Sequence, residues 1–278
     1  MDRWLREIAA LDPVADARRV YRLSAGFEFP WDYRRSLELA LFRTYCVPSI
    51  SALLDRTGVF AERPQQRYDD TALLMGELAE HGCDSTRGRA ALRIINRLHG
   101  RHPIANDDML YVLSTFVYEP IDWIDAYGWR RLHEHERVAA YHHYREVGRR
   151  MGITGIPDDA GLRAFKTAYE REHFAFSETN RRIGTYTLEL FASWWPAPLR
   201  PAARLGVRAL LDEPMLAAFG FRPAPRPVPP AVRAALRARS AVVRVLPPRR
   251  RSKLTREPRN RTYPGYPDRW DVTDLGAR

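Results

Sequence analysis

His99 closes the stretch INRLH, and His102 follows in GRHP. Imidazole is a common protein ligand for iron, zinc and copper, and the usual one for a haem. Earlier in the chain, Arg67 and Thr71 stand four apart in RYDDT, which puts both side chains on one face of a helix. An arginine and a threonine facing an apolar pocket are costly unless something polar or anionic meets them there. Bound dioxygen or the carboxylate of a cofactor would qualify.

The elements around these residues must position them. On a helical wheel for residues 88–99, Arg93, Asn96 and Arg97 share one side. Ile94, Leu98, Ala91, Ile95, His99 and Leu92 fill the other, so His99 sits inside the apolar stripe. A lone histidine there is most often a satisfied core residue. Arg67 has an equally plain reading, as a partner of Asp70 or Glu119, with Thr71 as a helix-start residue. His102 lies between Gly100 and Pro103 in a loop and is second choice to His99 as a metal ligand. If the segments carrying Arg67 and His99 form an antiparallel hairpin, all three side chains reach one cavity.

Other constellations compete. YEREH offers Glu170 and His173 at the E-x-x-H spacing of a di-iron carboxylate bundle, but such a site needs two E-x-x-H helices and two more inward glutamates. His133, His135, His142 and His143, with Glu134, Glu136 and Glu146, crowd one helix and read as a solvated surface. Phe191, Trp194 and Trp195 read as core or interface aromatics. Gly-rich phosphate loops and the G-x-S-x-G elbow are absent. Cys46 and Cys83 have no CxxC spacing and make neither a disulfide framework nor a zinc site.

Nearly every segment shows a helical period and none a sustained strand alternation. Helices are expected over 32–55 (interrupted near Pro48), 67–82, 84–100 from an Asp or Ser cap, and 106–129 from an Asn cap with a bend or break at Pro120. Further helices are expected over 134–152, 158–173, 177–195, 199–211 and 230–245. The economical architecture is all-α, one helical domain over residues 1–221 followed by a Pro/Arg-rich arm over 222–278.

Charge follows the same division. The chain has 278 residues, 45% hydrophobic, and a net charge of +11. Residues 222–278 carry 14 Arg and one Lys against Glu257, Asp268, Asp271 and Asp274, which accounts for the whole excess. A nucleic-acid face usually interleaves its basic residues with aromatics, so no nucleic-acid partner is expected here. The arm is most simply a tail lying over an acidic part of its own body, and a weak contact with an anionic membrane is the next reading. Residues 1–20 have no apolar leader region, and no run of about 18 apolar residues could span a bilayer. The default expectation is a cytoplasmic protein.

RYDDT, followed some thirty residues later by a helix ending in INRLH, resembles the rubber oxygenase (latex-clearing protein) and MpaB-type oxygenase family. FRTYCVPSISALLDRTGVF, NDDMLYVLSTFVYEPIDW, GRRMGITGIP and the YPGY near the end are similar to bacterial MpaB-type sequences, so the likeness covers roughly residues 30–265. The resemblance implies a globin-like helical core holding haem b, with His99 as the axial iron ligand and Arg67 and Thr71 lining the oxygen-facing side. It implies an oxygenase that uses dioxygen to cleave carbon–carbon double bonds of a hydrophobic, isoprenoid or otherwise unsaturated substrate. Two alternatives stay open: a protein of the same fold that binds haem or another hydrophobic ligand without catalysis, and the di-iron enzyme. The chain departs from the family at Asp70, where the rubber-cleaving branch has a lysine able to serve as a sixth iron ligand. A carboxylate is a poor substitute, which argues against polyisoprene as the substrate. Fungal members are membrane-anchored at the N-terminus, and no such segment is expected here.

Overall fold

The computed structural model describes residues 3–254 and 270–276. Among the described residues there is no strand, and the chain is all-α as its periodicity predicts. Eight helices of 14 residues or more carry the fold. They are α1 (Pro30–Thr44), α2 (Pro64–His81), α3 (Thr86–His99), α4 (Asn106–Tyr127), α5 (Glu134–Arg150), α6 (Asp159–His173), α7 (Glu178–Ser193) and α8 (Val228–Arg244).

The helix boundaries have local causes. Pro30 and Pro64 open α1 and α2 where a missing N–H is harmless. Ser85 caps α3, its Oγ accepting the Gly88 N–H at 2.9 Å. Gly82, with φ of +80°, ends α2 in a conformation that side chains with a Cβ rarely adopt. The expected break near Pro48 is a 96° bend between α1 and the short helix Pro48–Arg56. Of the bend or break expected at Pro120, the break does not occur: α4 runs through it, buried on both sides of the proline. Asn106 is not the cap of α4. Its amide is engaged across the fold instead, accepting the Thr154 N–H at 2.9 Å.

The core sits around α4. Phe116, Val117, Ile121 and Ile124 of α4 meet Phe29 and Tyr33 at the start of α1, with Tyr141 and Tyr144 of α5 closing the other side. A second cluster gathers Phe42, Ile183, Phe191 and Phe219 around α7. In a third, α3 folds back on α2, and Leu73, Leu74 and Leu78 interlock with Ala91, Ile94 and Ile95. Each buried Leu, Ile, Val or Phe among them contributes roughly 1.5–3 kcal/mol.

The histidine-rich stretch before and along α5 is a solvated surface only in part. The inner stripe of α5 takes Glu136, Ala140, His143 and Val147. Glu136 is fully buried, paired with Arg130 at 2.6 Å, and His143 stacks on Tyr21 with ring centroids 4.3 Å apart. The E-x-x-H motif is likewise committed to structure. Glu170 pairs with Arg43 and with Lys166, each at 2.7 Å, while His173 stacks on Tyr169 at 4.0 Å. These pairings leave the di-iron reading without its carboxylate.

The C-terminal region belongs to the body as far as it is described. Arg239 on α8 pairs with Asp32 at 3.1 Å and lies over Trp31 at 3.6 Å. Beyond α8 the chain returns over the turn Ser24–Glu28. There the Lys253 N–H donates to Gly26 O at 3.0 Å and Arg249 Nη1 to Phe27 O at 3.0 Å. A Cβ on Gly26 would meet Ser252 Oγ at 2.5 Å, so a larger residue here would push Ser252 aside. Val272 and Leu275 are buried against α3. The YPGY stretch and the rest of the arm between residues 255 and 269 lie outside the described residues.

Candidate functional site

α2 positions two of the candidate residues and is packed on both sides. One side carries Leu74 and Leu78 against α3. Ala72, Gly76 and Ala79, at i, i+4 and i+7, form another and leave a hollow because they have no bulk to fill it. Thr71 stands between these two sides.

Arg67 lies one turn inside the start of α2 and is half-buried. Its guanidinium donates to Thr71 Oγ1, and the Thr71 hydroxyl donates back to Arg67 O at 3.1 Å. Threonine therefore fixes the arginine head. Among the described residues no carboxylate pairs with Arg67. Glu119 is held by Lys166 at 2.8 Å and faces Arg43 at 3.4 Å. Asp70 is buried next to Asp69 and does not pair with Arg67.

His99 is the last residue of α3, at the end of the hairpin where α2 begins. Its Nδ1 is buried and has no hydrogen-bond partner. Burial, then the positive charge of Arg67, and then His102 hold its pKa down at about 4. The imidazole is therefore neutral at ordinary pH and offers a free nitrogen lone pair. The structure thus brings Arg67, Thr71 and His99 to one end of the α2–α3 pair. His102 is exposed in the turn beyond α3.

A cleft partly open to solvent lies between α1 and α2. Leu37, Leu41, Met75, Phe116 and Leu254 give it an apolar lining, and Thr71 reaches it from α2. Arg67 and His99 are not among its lining residues. Two polar residues at its wall went unread in the sequence. The Tyr68 hydroxyl donates to Glu38 Oε1, which also pairs with Arg35 at 2.5 Å. Burial pushes the Glu38 carboxyl above its ordinary pKa. Glu38 sits in α1 among alternating charged and apolar residues, so nothing distinguishes it from a surface glutamate. The small-residue spacing on α2 was the available signal for the hollow.

A second buried acid marks the outer side of α2. Asp69 Oδ1 accepts from Gln65 Nε2 at 2.7 Å, and Gln65 in turn accepts the Trp194 indole N–H at 2.6 Å. Its other oxygen is buried without a partner, and desolvation raises its pKa to about 8. Trp194 is thus an interface aromatic, as expected, while Trp195 is exposed.

Comparison with known proteins adds to this geometry. A family model described as ER-bound oxygenase mpaB/B'/Rubber oxygenase, catalytic domain, matches residues 37–245, from within α1 to just past the end of α8. ER-bound oxygenase mpaB of Penicillium roqueforti (strain FM164) is 34% identical over 167 residues, covering 58% of this chain and 56% of that protein. ER-bound oxygenase mpaB' of Penicillium brevicompactum is 29% identical over 269 residues, covering 90% of this chain and 63% of that protein. The chain therefore spans less than two thirds of the length of either relative.

Proposed function

From its membership of the MpaB and rubber oxygenase catalytic-domain family, we propose that this chain is a haem b-dependent oxygenase acting with dioxygen on a hydrophobic, isoprenoid or otherwise unsaturated substrate. The observation that carries this reading is the buried, unpartnered Nδ1 of His99 beside an arginine that, among the described residues, no carboxylate neutralises. A neutral imidazole and an unmatched cation are what an iron porphyrin with anionic side groups requires. The donor set fits the group.

His99 would hold the haem iron. The haem, when bound, supplies the redox chemistry that activation of dioxygen demands and that no side chain here provides. Arg67 supplies a fixed positive charge for an anionic or polarised oxygen atom, and Thr71 keeps the guanidinium from swinging away. The cleft offers a greasy chain an apolar wall along Leu37, Leu41, Met75 and Phe116. Glu38 and Tyr68 give that cleft a hydrogen-bonded polar spot, suited to orienting a substrate that has a polar end.

One observation favours a second reading. Of the three candidate residues only Thr71 lines the cleft, as it would in a protein that binds a hydrophobic ligand without turning it over. Two measurements separate the readings. Protein expressed with a haem precursor shows a Soret band and consumes oxygen with a short isoprenoid under the first, and binds the isoprenoid without oxygen uptake under the second. A colourless protein that refuses added haemin rejects the haem proposal.

A further inference from the structure

We propose that the outward side of α8 and the turn after it, from Val242 to Arg251, dock on an anionic lipid bilayer. Residues 222–254 hold nine Arg and one Lys and no acidic residue. Arg239 turns inward to Asp32. Arg233, Arg237, Arg244, Arg250 and Arg251 are exposed, and among the described residues none of them meets a carboxylate. Five cations left in water on one segment are a surface of one sign.

Exposed apolar side chains share this segment with the cations. Val245 is 80% exposed, Val242 58% and Leu246 55%, the three highest values among the exposed large hydrophobic residues. The helical period explains the arrangement. Leu236, Ser240 and Val243 face the body, Arg233, Arg237 and Arg244 form the next stripe, and Val242 lies further round with alanines filling the remaining outward positions. Pro247 and Pro248 stiffen the turn that carries Leu246. Solvent-facing aliphatics flanked by unpaired arginines match a membrane interface, where the aliphatics enter the acyl boundary and the guanidinium groups meet phosphates.

Charge and composition select this occupant. A second copy of the chain would set five arginines against five. Nucleic acid would satisfy the arginines, yet the patch has no aromatic to stack on a base, and the aliphatics would stay in water. An anionic bilayer satisfies both. The docking does not rest on the haem proposal, but it has a consequence for it. The chain runs from Leu246 to Lys253 and Leu254 at the cleft, so docking holds one rim of the cleft close to the lipid.

The full chain is tested by co-sedimentation with phosphatidylcholine vesicles, with and without phosphatidylserine. Binding is expected to the anionic vesicles and to weaken with salt. At about fivefold per arginine, the Arg244→Gln/Arg250→Gln/Arg251→Gln variant loses roughly a hundredfold in affinity. The Val242→Ser/Val245→Ser/Leu246→Ser variant loses about tenfold or more, with its circular dichroism unchanged. Three results overturn the proposal: no binding to anionic vesicles, binding that survives both variants, or a serine variant that shifts the oligomeric state while vesicle binding persists. Duplex DNA that competes with vesicles and binds the serine variant as tightly as the parent assigns the patch to nucleic acid instead. The Soret band is read separately, so failure here leaves the haem proposal standing.

Discussion

The guanidinium of Arg67 lies near enough to the His99 ring that its charge, added to burial, helps keep that imidazole neutral. Arg67→Gln in the haem-free protein is therefore expected to raise the His99 pKa above about 4 while leaving it below 6.5, because burial is the larger cause. An NMR titration of the ring protons measures this. An unchanged value would mean that the two side chains do not share a field.

His99→Leu separates ligation from stability. Removing the orphaned buried nitrogen should stabilise the haem-free chain by about 1 kcal/mol, since an unsatisfied buried polar atom is a standing penalty. The same substitution should abolish the Soret band. A variant that keeps its haem would remove His99 from the site.

Thr71 is assigned to positioning. Thr71→Val leaves the Arg67 head without its partner and should lower oxygen-dependent turnover about tenfold, the effect of losing one charge-assisted hydrogen bond. Thr71→Ser should restore it. A structural role alone would instead show as a lowered melting temperature with turnover per folded molecule unchanged.

Asp69 and the buried histidines pull stability in opposite directions with pH. The native Asp69 carboxyl stays protonated up to about 8, while in the unfolded chain it ionises above its ordinary value of 3.8. Its contribution is thus lost as pH rises between these values, by up to about 1.4 kcal/mol per pH unit. Asp69→Asn keeps the acceptor for Gln65 and should be more stable than the parent at pH 7 by a few kcal/mol, measured by urea denaturation.

His99 and His143 remain neutral in the native state down to about 4 and about 3. The unfolded chain takes up their protons below 6.5, so each removes up to about 1.4 kcal/mol per unit as pH falls from 6.5 towards 4. His143→Phe, which preserves the stack on Tyr21, should flatten the acid limb of the stability curve. An unaltered acid limb would show that His143 is solvated.

The sequence was legible where the physics is local. Helical period and the Asp-or-Ser cap ahead of α3 placed the main elements within a few residues. The wheel put His99 in an apolar stripe, and the structure leaves its Nδ1 buried and unpartnered. What the sequence hid is what depends on distant partners. Pro120 looks like a break until the burial of α4 on both sides of it is known. Glu136 and His143 look solvated because partners such as Ser24 and Tyr21 come from distant segments. Glu38 is ordinary in α1 and becomes a cleft residue only when Tyr68 of α2 packs against it.

The return of the chain over Gly26 bears on the order of events at the ribosome. Synthesis completes α1 and α2 early, yet Leu254 supplies part of the cleft wall and Val272 and Leu275 cover α3. Both closures come from residues that emerge well after α1, α2 and α3. The cleft wall and the cover of α3 are therefore completed only after α1, α2 and α3 have emerged, which leaves a bulky ligand time to enter first.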